Sequence, residues 1–161
     1  MSDVLSNPSV LRVRAALAQA GLDTPIVELP GAARTAAAAA AFLGCDRAQI
    51  ANSLVFRGEA SGAALLVMSS GARRVDLERL SRAAGEPIGK ADASFVREQT
   101  GFAIGGVPPV GHANPPRTFI ERALAGFDAL WAAAGHPHTV FRLDYATLLR
   151  ITGGTEVDAA A

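Results

Sequence analysis

Sixteen glycines and nine prolines punctuate this chain, and that punctuation constrains the fold more than any other feature. Glycine opens backbone angles closed to other residues, whereas proline fixes φ and lacks an N–H. Both therefore end regular elements more readily than they extend them. Many turns and short elements are expected, and a long helical bundle is not. The 161 residues fall within the usual span of one domain, and a hydrophobic content of 50% supplies a sizeable core.

Within these limits the pattern predicts interleaved helices and short strands. Asn7-Pro8 reads as an N-cap followed by proline in the first helical turn, with Gly21 at the far end. Val10, Val13, Leu17 and Ala20 share one face of that helix, and Arg12, Arg14 and Gln19 can point outward. A strand is expected over Pro25 to Leu29. Thr35 caps an alanine-rich helix closed by Gly44, and alanine's helix propensity and small size favour a tightly packed helix over a disordered tract. Ile50 to Phe56 and Ala63 to Met68 read as strands joined by a glycine-containing loop, Arg57 to Gly62. Asp76 begins a helix through Ala84, stopped by Gly85, and Asp92 begins another that ends near Thr100-Gly101. Further strands are expected at Phe102 to Ile104, Thr118 to Ile120, Ala129 to Ala134 and Thr139 to Leu143. A last helix runs from Tyr145 to Ile151, and the tail after Gly153 is expected to fray after one short strand at most. The elements lack the regular rhythm of a doubly wound sheet. That favours an α+β domain, a mixed, curved and partly closed, barrel-like β-sheet flanked by helices.

Composition excludes several functions. The fifteen basic and fifteen acidic residues cancel, so the chain is no general nucleic-acid binder, since non-specific affinity comes from neutralising phosphates. DNA is not an expected partner, and any RNA contact must be local. Fourteen of the basic residues are arginine, with Lys90 the one lysine. The longest apolar stretch, Ala36 to Leu43, is too short to span a bilayer, so no membrane partner is expected. No basic region followed by an apolar stretch and a cleavage site opens the sequence, which reads as cytoplasmic. Cys45 stands alone, without a disulfide framework or a paired-thiol site. No grouping of His, Cys, Asp and Glu has zinc-ligand spacing and no H-E-x-x-H occurs, so neither metal nor other cofactor is expected. A G-x-S-x-G elbow and the phosphate-binding glycine fingerprints are also missing.

The most informative segment is Thr100 to His112, in which Gly105-Gly106-Val107-Pro108-Pro109 is at once permissive and stiff. Such a loop can hold peptide N–H and C=O groups in place to cradle a carbonyl or orient a water. It can equally be a structural turn. Thr100-Gly101-Phe102 and Gly105 through His112 resemble the Gly-x-x-x-Pro loop region of the YbaK/EbsC family, the prolyl-tRNA synthetase-associated editing domains. Other segments resemble that family in the same order. Ile50 to Phe56 is similar to its first central strand, and Ser70-Gly71 through Leu77 to the turn and helix start after its second. Ala91 to Val96 resembles the helix before the glycine loop. Trp131 to Gly135 with Val140 to Leu143 resembles the closing strands. The likeness spans roughly residues 8 to 155.

The resemblance implies hydrolysis, without metal, of the ester joining a small, wrong amino acid to the terminal adenosine of a tRNA, often a proline tRNA. Water attacks the carbonyl while loop backbone groups and the substrate's own ribose hydroxyl position the reactants. Such editing meets an energetic need, because one methylene or hydroxyl is worth only about 1–3 kcal/mol in a pocket. The implied partners are the acceptor end of aminoacyl-tRNA and, in a second reading, an aminoacyl-tRNA synthetase. In most of the family a lysine precedes a Ser or Thr on the strand matching Ile50 to Phe56. Here the pair is Asn52-Ser53, and an amide carries no charge to set against a phosphate. A different substrate, a cation supplied from elsewhere, or lost activity each accommodates that change.

The expected catalytic set is Asn52, Ser53, Gly105, Gly106 and His112. Phe56, Met68, Val107, Pro108 and Pro109 are expected to bind substrate, with Leu66 a further pocket candidate, although the apolar members read equally as core. His112 is the natural general-base candidate, and His136 and His138, flanking Pro137 in a turn, read as surface residues. Arg73 and Arg74, with Arg79 and Arg82 behind them, form the densest basic patch and could touch the acceptor stem. A solvated helix face explains them as well. Three functions stay open: a trans-acting deacylase, a silent tRNA- or synthetase-binding module of the same fold, and a hydrolase of small aminoacyl esters.

Overall fold

The computed structural model describes residues 3–160. Five helices form, each where its caps direct: α1 (Pro8–Gln19), α2 (Ala36–Leu43), α3 (Leu77–Ala84), α4 (Ala93–Thr100) and α5 (Tyr145–Thr152). The side chains of Asn7, Thr35, Asp76, Asp92 and Asp144 each accept a first-turn backbone N–H. These bonds satisfy donors that the helix itself leaves unpaired. Gly44, Gly85, Gly101 and Gly153 close four of the helices in the left-handed conformation. Short 3-10 segments lie at Val4–Ser6, Arg47–Gln49 and Arg122–Gly126.

Eight strands make one mixed sheet: β1 (Ile26–Glu28), β2 (Ile50–Gly58), β3 (Ala64–Ser70), β4 (Ile88–Lys90), β5 (Arg117–Glu121), β6 (Leu130–Ala133), β7 (Thr139–Leu143) and β8 (Thr155–Val157). The hydrogen-bonded path runs β1-β7-β6-β2-β3-β5-β8, with β4 paired to β2 off this path. The α+β class with a mixed sheet is therefore correct. The path stays open between β1 and β8, so no ring closes.

β3 is buried along its whole length, because both faces of the sheet are covered. Leu66 and Met68 enter the main core with Val10, Val13 and Leu17 of α1 and Leu148 of α5. Leu65 and Val67 point the other way, against Leu80 and Ala84 of α3. A third cluster seats Ala39 and Ala40 of α2 on Ile50, a close approach that alanine permits.

β2 organises the site. One of its edges pairs with β3 from Ala51 to Arg57. On the other edge β6 takes only Ile50 and Ala51, and β4 takes Phe56 to Gly58. The stretch from Asn52 to Val55 has no strand partner on that edge, and the sheet parts there.

Two expectations are corrected, and one strand was not expected. Phe102 to Ile104 is not a strand: Phe102 is 1% exposed in the main core, and the chain turns at once into the glycine bend. The end of the chain does not fray. β8 pairs in parallel with β5, Val157 and Ala159 are buried, and Asp76 N–H donates to the Ala159 carbonyl (2.6 Å). β4, with Gly89 at its centre, carries no strand pattern in sequence and forms because it finds the open edge of β2.

Candidate active site

The parting of the sheet opens a cleft of about 400 Å³, within the usual size of a small-molecule site. Asn52, Ser53 and Leu54 of β2 form one side, and the glycine bend contributes Ile104, Gly105 and Val107. Trp131 of β6, Pro137 in the β6–β7 turn and the start of α2 complete the walls.

Asn52 is half-buried at the cleft, and its side-chain amide makes no hydrogen bond among the described residues. The amide is thus free to donate and accept toward a ligand rather than being bonded to the strand backbone. Ser53, the next residue on a strand, points to the opposite face, where its Oγ donates to Met68 Sδ at 3.3 Å.

The bend is braced from several sides. Gly105 has φ +96°, an angle that favours glycine. At Gly106 a Cβ would stand 2.8 Å from the His136 nitrogen and 2.9 Å from its Cα, so only glycine lets the loop lie against the Gly135–His136 backbone. Gly106 N–H donates to the Ala103 carbonyl at 3.1 Å. The N–H groups of Gly105 and Val107 have no acceptor among the described residues. The amide of Ile104, which also lines the cleft, is unpaired as well, whereas that of Gly106 is used. The base of the loop is clamped by Thr100, whose Oγ1 donates to Val96 O (2.6 Å) and accepts from Phe102 N–H (3.1 Å). Arg12 donates to the Gly101 carbonyl at 2.8 Å and lies 4.7 Å over the Phe102 ring.

Other expected site residues lie outside the cleft. Met68 and Leu66 are fully buried in the main core, and Phe56 packs in the second cluster. Gly106, Pro108 and Pro109 are buried behind the bend. His112 Nε2 sits 2.7 Å from the Pro108 carbonyl, and its ring meets Phe102 edge-on. Burial lowers its pKa despite the opposing carbonyl bond. That arrangement braces the loop from behind. His136 and His138, read as surface residues, are half-buried in the turn beneath the bend, where His138 N–H donates to His136 Nδ1 at 3.0 Å. Arg73 and Arg74 line a second, more open cavity of about 630 Å³ with Ser70, Ala72 and Phe127.

Four contributors were not singled out as site residues from the sequence. Arg34 and Arg47 line the cleft, as do Trp131 and the 53%-exposed Ile104. The turn of β6 against Ile50 brings Trp131 in, and only the tertiary fold brings the two arginines to β2. Cys45 is no nucleophile candidate: it lies outside the cleft, and burial, then Asp46, pushes its thiol pKa up. Among the described residues no group of three or more His, Cys, Asp and Glu side chains could hold a metal ion, and no helix is long and apolar enough to cross a membrane.

The fold and cleft together define a small α+β domain with an open cleft where its sheet parts along its longest strand. The chain belongs to the aminoacyl-tRNA editing domain family, whose model matches residues 31–151. Its structure is similar to that of "a putative trans-editing enzyme for prolyl tRNA synthetase", with a TM-score of 0.90 at 44% identity over 96% of this chain and 98% of the other. It is also similar to hypothetical protein APE2540, with a TM-score of 0.86 at 27% identity over 93% and 99% of the two chains. The uncharacterized protein YwhH of Bacillus subtilis (strain 168) is 29% identical over 135 residues, which cover 84% of this chain and 85% of YwhH. The role of this chain lies in aminoacyl-tRNA editing.

Proposed function

We propose that the protein is a trans-acting deacylase that hydrolyses the ester of a small, wrongly attached amino acid at the 3′ end of a tRNA, with the editing of proline tRNA as its first candidate context. One observation carries this reading. The unpartnered amide of Asn52 and the free N–H groups of Gly105 and Val107 border the same cleft. The named similarity of the trans-editing structure supports the proline context.

In this mechanism the terminal adenosine enters where β2 lacks a partner, and Asn52 bonds the α-amino group or the ribose. The ester carbonyl lies against the bend, where the Gly105 and Val107 amides meet the negative charge that develops as water adds to the carbon. Donors already fixed in place cost no reorganisation at that moment. The water's proton passes to the departing ribose oxygen, so one C–O bond forms, one breaks, and free amino acid and tRNA result. His112 acts by holding the Pro108 carbonyl, and Ser53 by its place on the strand. The Trp131 and Ile104 surfaces limit the size of the amino acid that fits.

A panel of mischarged tRNAs tests the reading, with release of free Ala, Ser, Thr and Cys followed against buffer. Release of none sinks it. Asn52 favours a second reading, a silent tRNA- or synthetase-binding module, since the position lacks the family's ammonium. Asn52→Lys separates the two. Deacylation gained from nothing supports the silent module, and an active wild type slowed by the substitution supports the enzyme.

A further inference from the structure

Although the whole chain is neutral, its cleft is not. Arg34 enters from the loop before α2, and Arg47 from the 3-10 turn before β2, while no carboxylate lines the walls. Arg34 lies beside the bend: a Cβ placed on Gly105 would be 4.0 Å from one of its terminal nitrogens. At the other end of the cleft Gly71 packs so closely on Ala36 and the Arg47 carbonyl that a side chain there would collide with both. Arg47 and Gly71 line the cleft, and their chain neighbours Ala48, Ser70 and Ala72 line the second cavity, the one that holds Arg73 and Arg74. The linings of the two hollows are thus contiguous along the chain at both places. Among the described residues, Arg79, Arg82 and Arg122 are held in ion pairs, whereas Arg34, Arg47, Arg73 and Arg74 enter none.

We propose that Arg34 and Arg47 form a split clamp for the two phosphodiesters immediately 5′ of the terminal adenosine, Arg34 on the nearer and Arg47 on the farther. The clamp rests on the editing reading and supplies, from outside β2, the positive charge that Asn52 does not carry. The single-stranded 3′ end then runs from the Arg73–Arg74 cavity, past Arg47, into the cleft. A guanidinium suits this task because it stays charged and its planar fork matches phosphate oxygens.

The test compares binding of the trinucleotide CpCpA, which contains both phosphodiesters, with binding of adenosine, which contains none. Each neutralised phosphate on a single strand contributes a slope of about −0.7 to log K against log salt, so wild type is expected near about −1.4 for CpCpA. Arg34→Ala and Arg47→Ala should each lower CpCpA affinity about tenfold and remove about 0.7 from the slope, with adenosine binding unchanged. Arg34→Lys and Arg47→Lys should restore the slope. Both side chains are exposed, so thermal melts of all four variants should match wild type. Unchanged CpCpA affinity and slope in the alanine variants overturn the clamp, as does an equal loss of adenosine binding. Deacylation by the same proteins reads the underlying reaction separately. An Arg34-dependent slope without amino-acid release leaves the clamp standing and removes the hydrolase, and the reverse pattern does the opposite.

Discussion

At Gly106 a methyl group would meet the backbone of His136 within 2.9 Å, while at Gly105 it would find nothing nearer than Pro137 Cγ at 3.7 Å. The neighbours therefore differ in what they demand of glycine. Gly105 needs its freedom of φ, and Gly106 needs the missing Cβ. Gly105→Ala should cost about 1 kcal/mol for the left-handed backbone, and Gly106→Ala about 3 kcal/mol, because a backbone neighbour cannot swing aside as a side chain can. Urea denaturation of the two variants measures both, and the order is the informative result. Asn52 poses the complementary case. With no intramolecular bond to lose, Asn52→Ala should leave stability within about 0.5 kcal/mol of wild type. It should still lower kcat/KM on a mischarged tRNA about tenfold, the worth of one hydrogen bond to substrate. A large fall in melting temperature would instead assign Asn52 to the fold.

Among the elements, β8 bears on how much of the molecule is needed. Its pairing with β5 covers what is otherwise an open strand edge, and Val157 lies 7% exposed against Phe119 and Leu65 in the second cluster. Removing the residues after Gly154 should cost at least about 2 kcal/mol in lost apolar burial and leave β5 as an exposed edge prone to self-association. Urea midpoints and light scattering on the shortened chain check the two effects. This strand also shows what was legible beforehand. Four helix starts were readable from their caps, because Asn7, Thr35, Asp76 and Asp92 act through bonds to residues two or three positions on. β4 was not, and β8 stood only as an optional short strand, because three residues hold as a strand only when a distant partner offers its edge. Phe102 looked like strand because an aromatic two residues before an isoleucine fits both a pleat and a core anchor. The site divides in the same way. Asn52 and the glycine bend stood out for their chemistry and do border one cleft. Arg34 and Arg47 looked like any surface arginines, since only the parting of β2 gives them a common target. His112 drew attention for its titration range, yet its geometry assigns it to the loop's support.

For the whole molecule, that support makes the cleft the acid-sensitive part of the fold. Burial lowers the pKa of His112, and burial with the His138 and Arg34 charges lowers that of His136, against a smaller opposing pull from Glu28. Both imidazoles are therefore neutral in the native state at a pH where the unfolded chain already binds protons. Stability from these two groups is fully present above their ordinary value near 6.5 and is lost as pH falls through the depressed native values. The structural consequence is specific for His136. Its Nδ1 accepts the His138 N–H, so protonation there removes the acceptor that shapes the turn beneath Gly106. Urea midpoints should hold steady from pH 8 to 7 and then fall toward pH 5. His112→Gln, which keeps a donor for the Pro108 carbonyl but cannot titrate, should flatten part of that fall. Since the His112 ring and the backbone of the His136 turn both lie against the bend, CpCpA binding should weaken over the same interval before the far-UV circular dichroism changes. A midpoint that rises on acidification, or a His112→Gln profile that overlays wild type, would show that neither ring governs the loop.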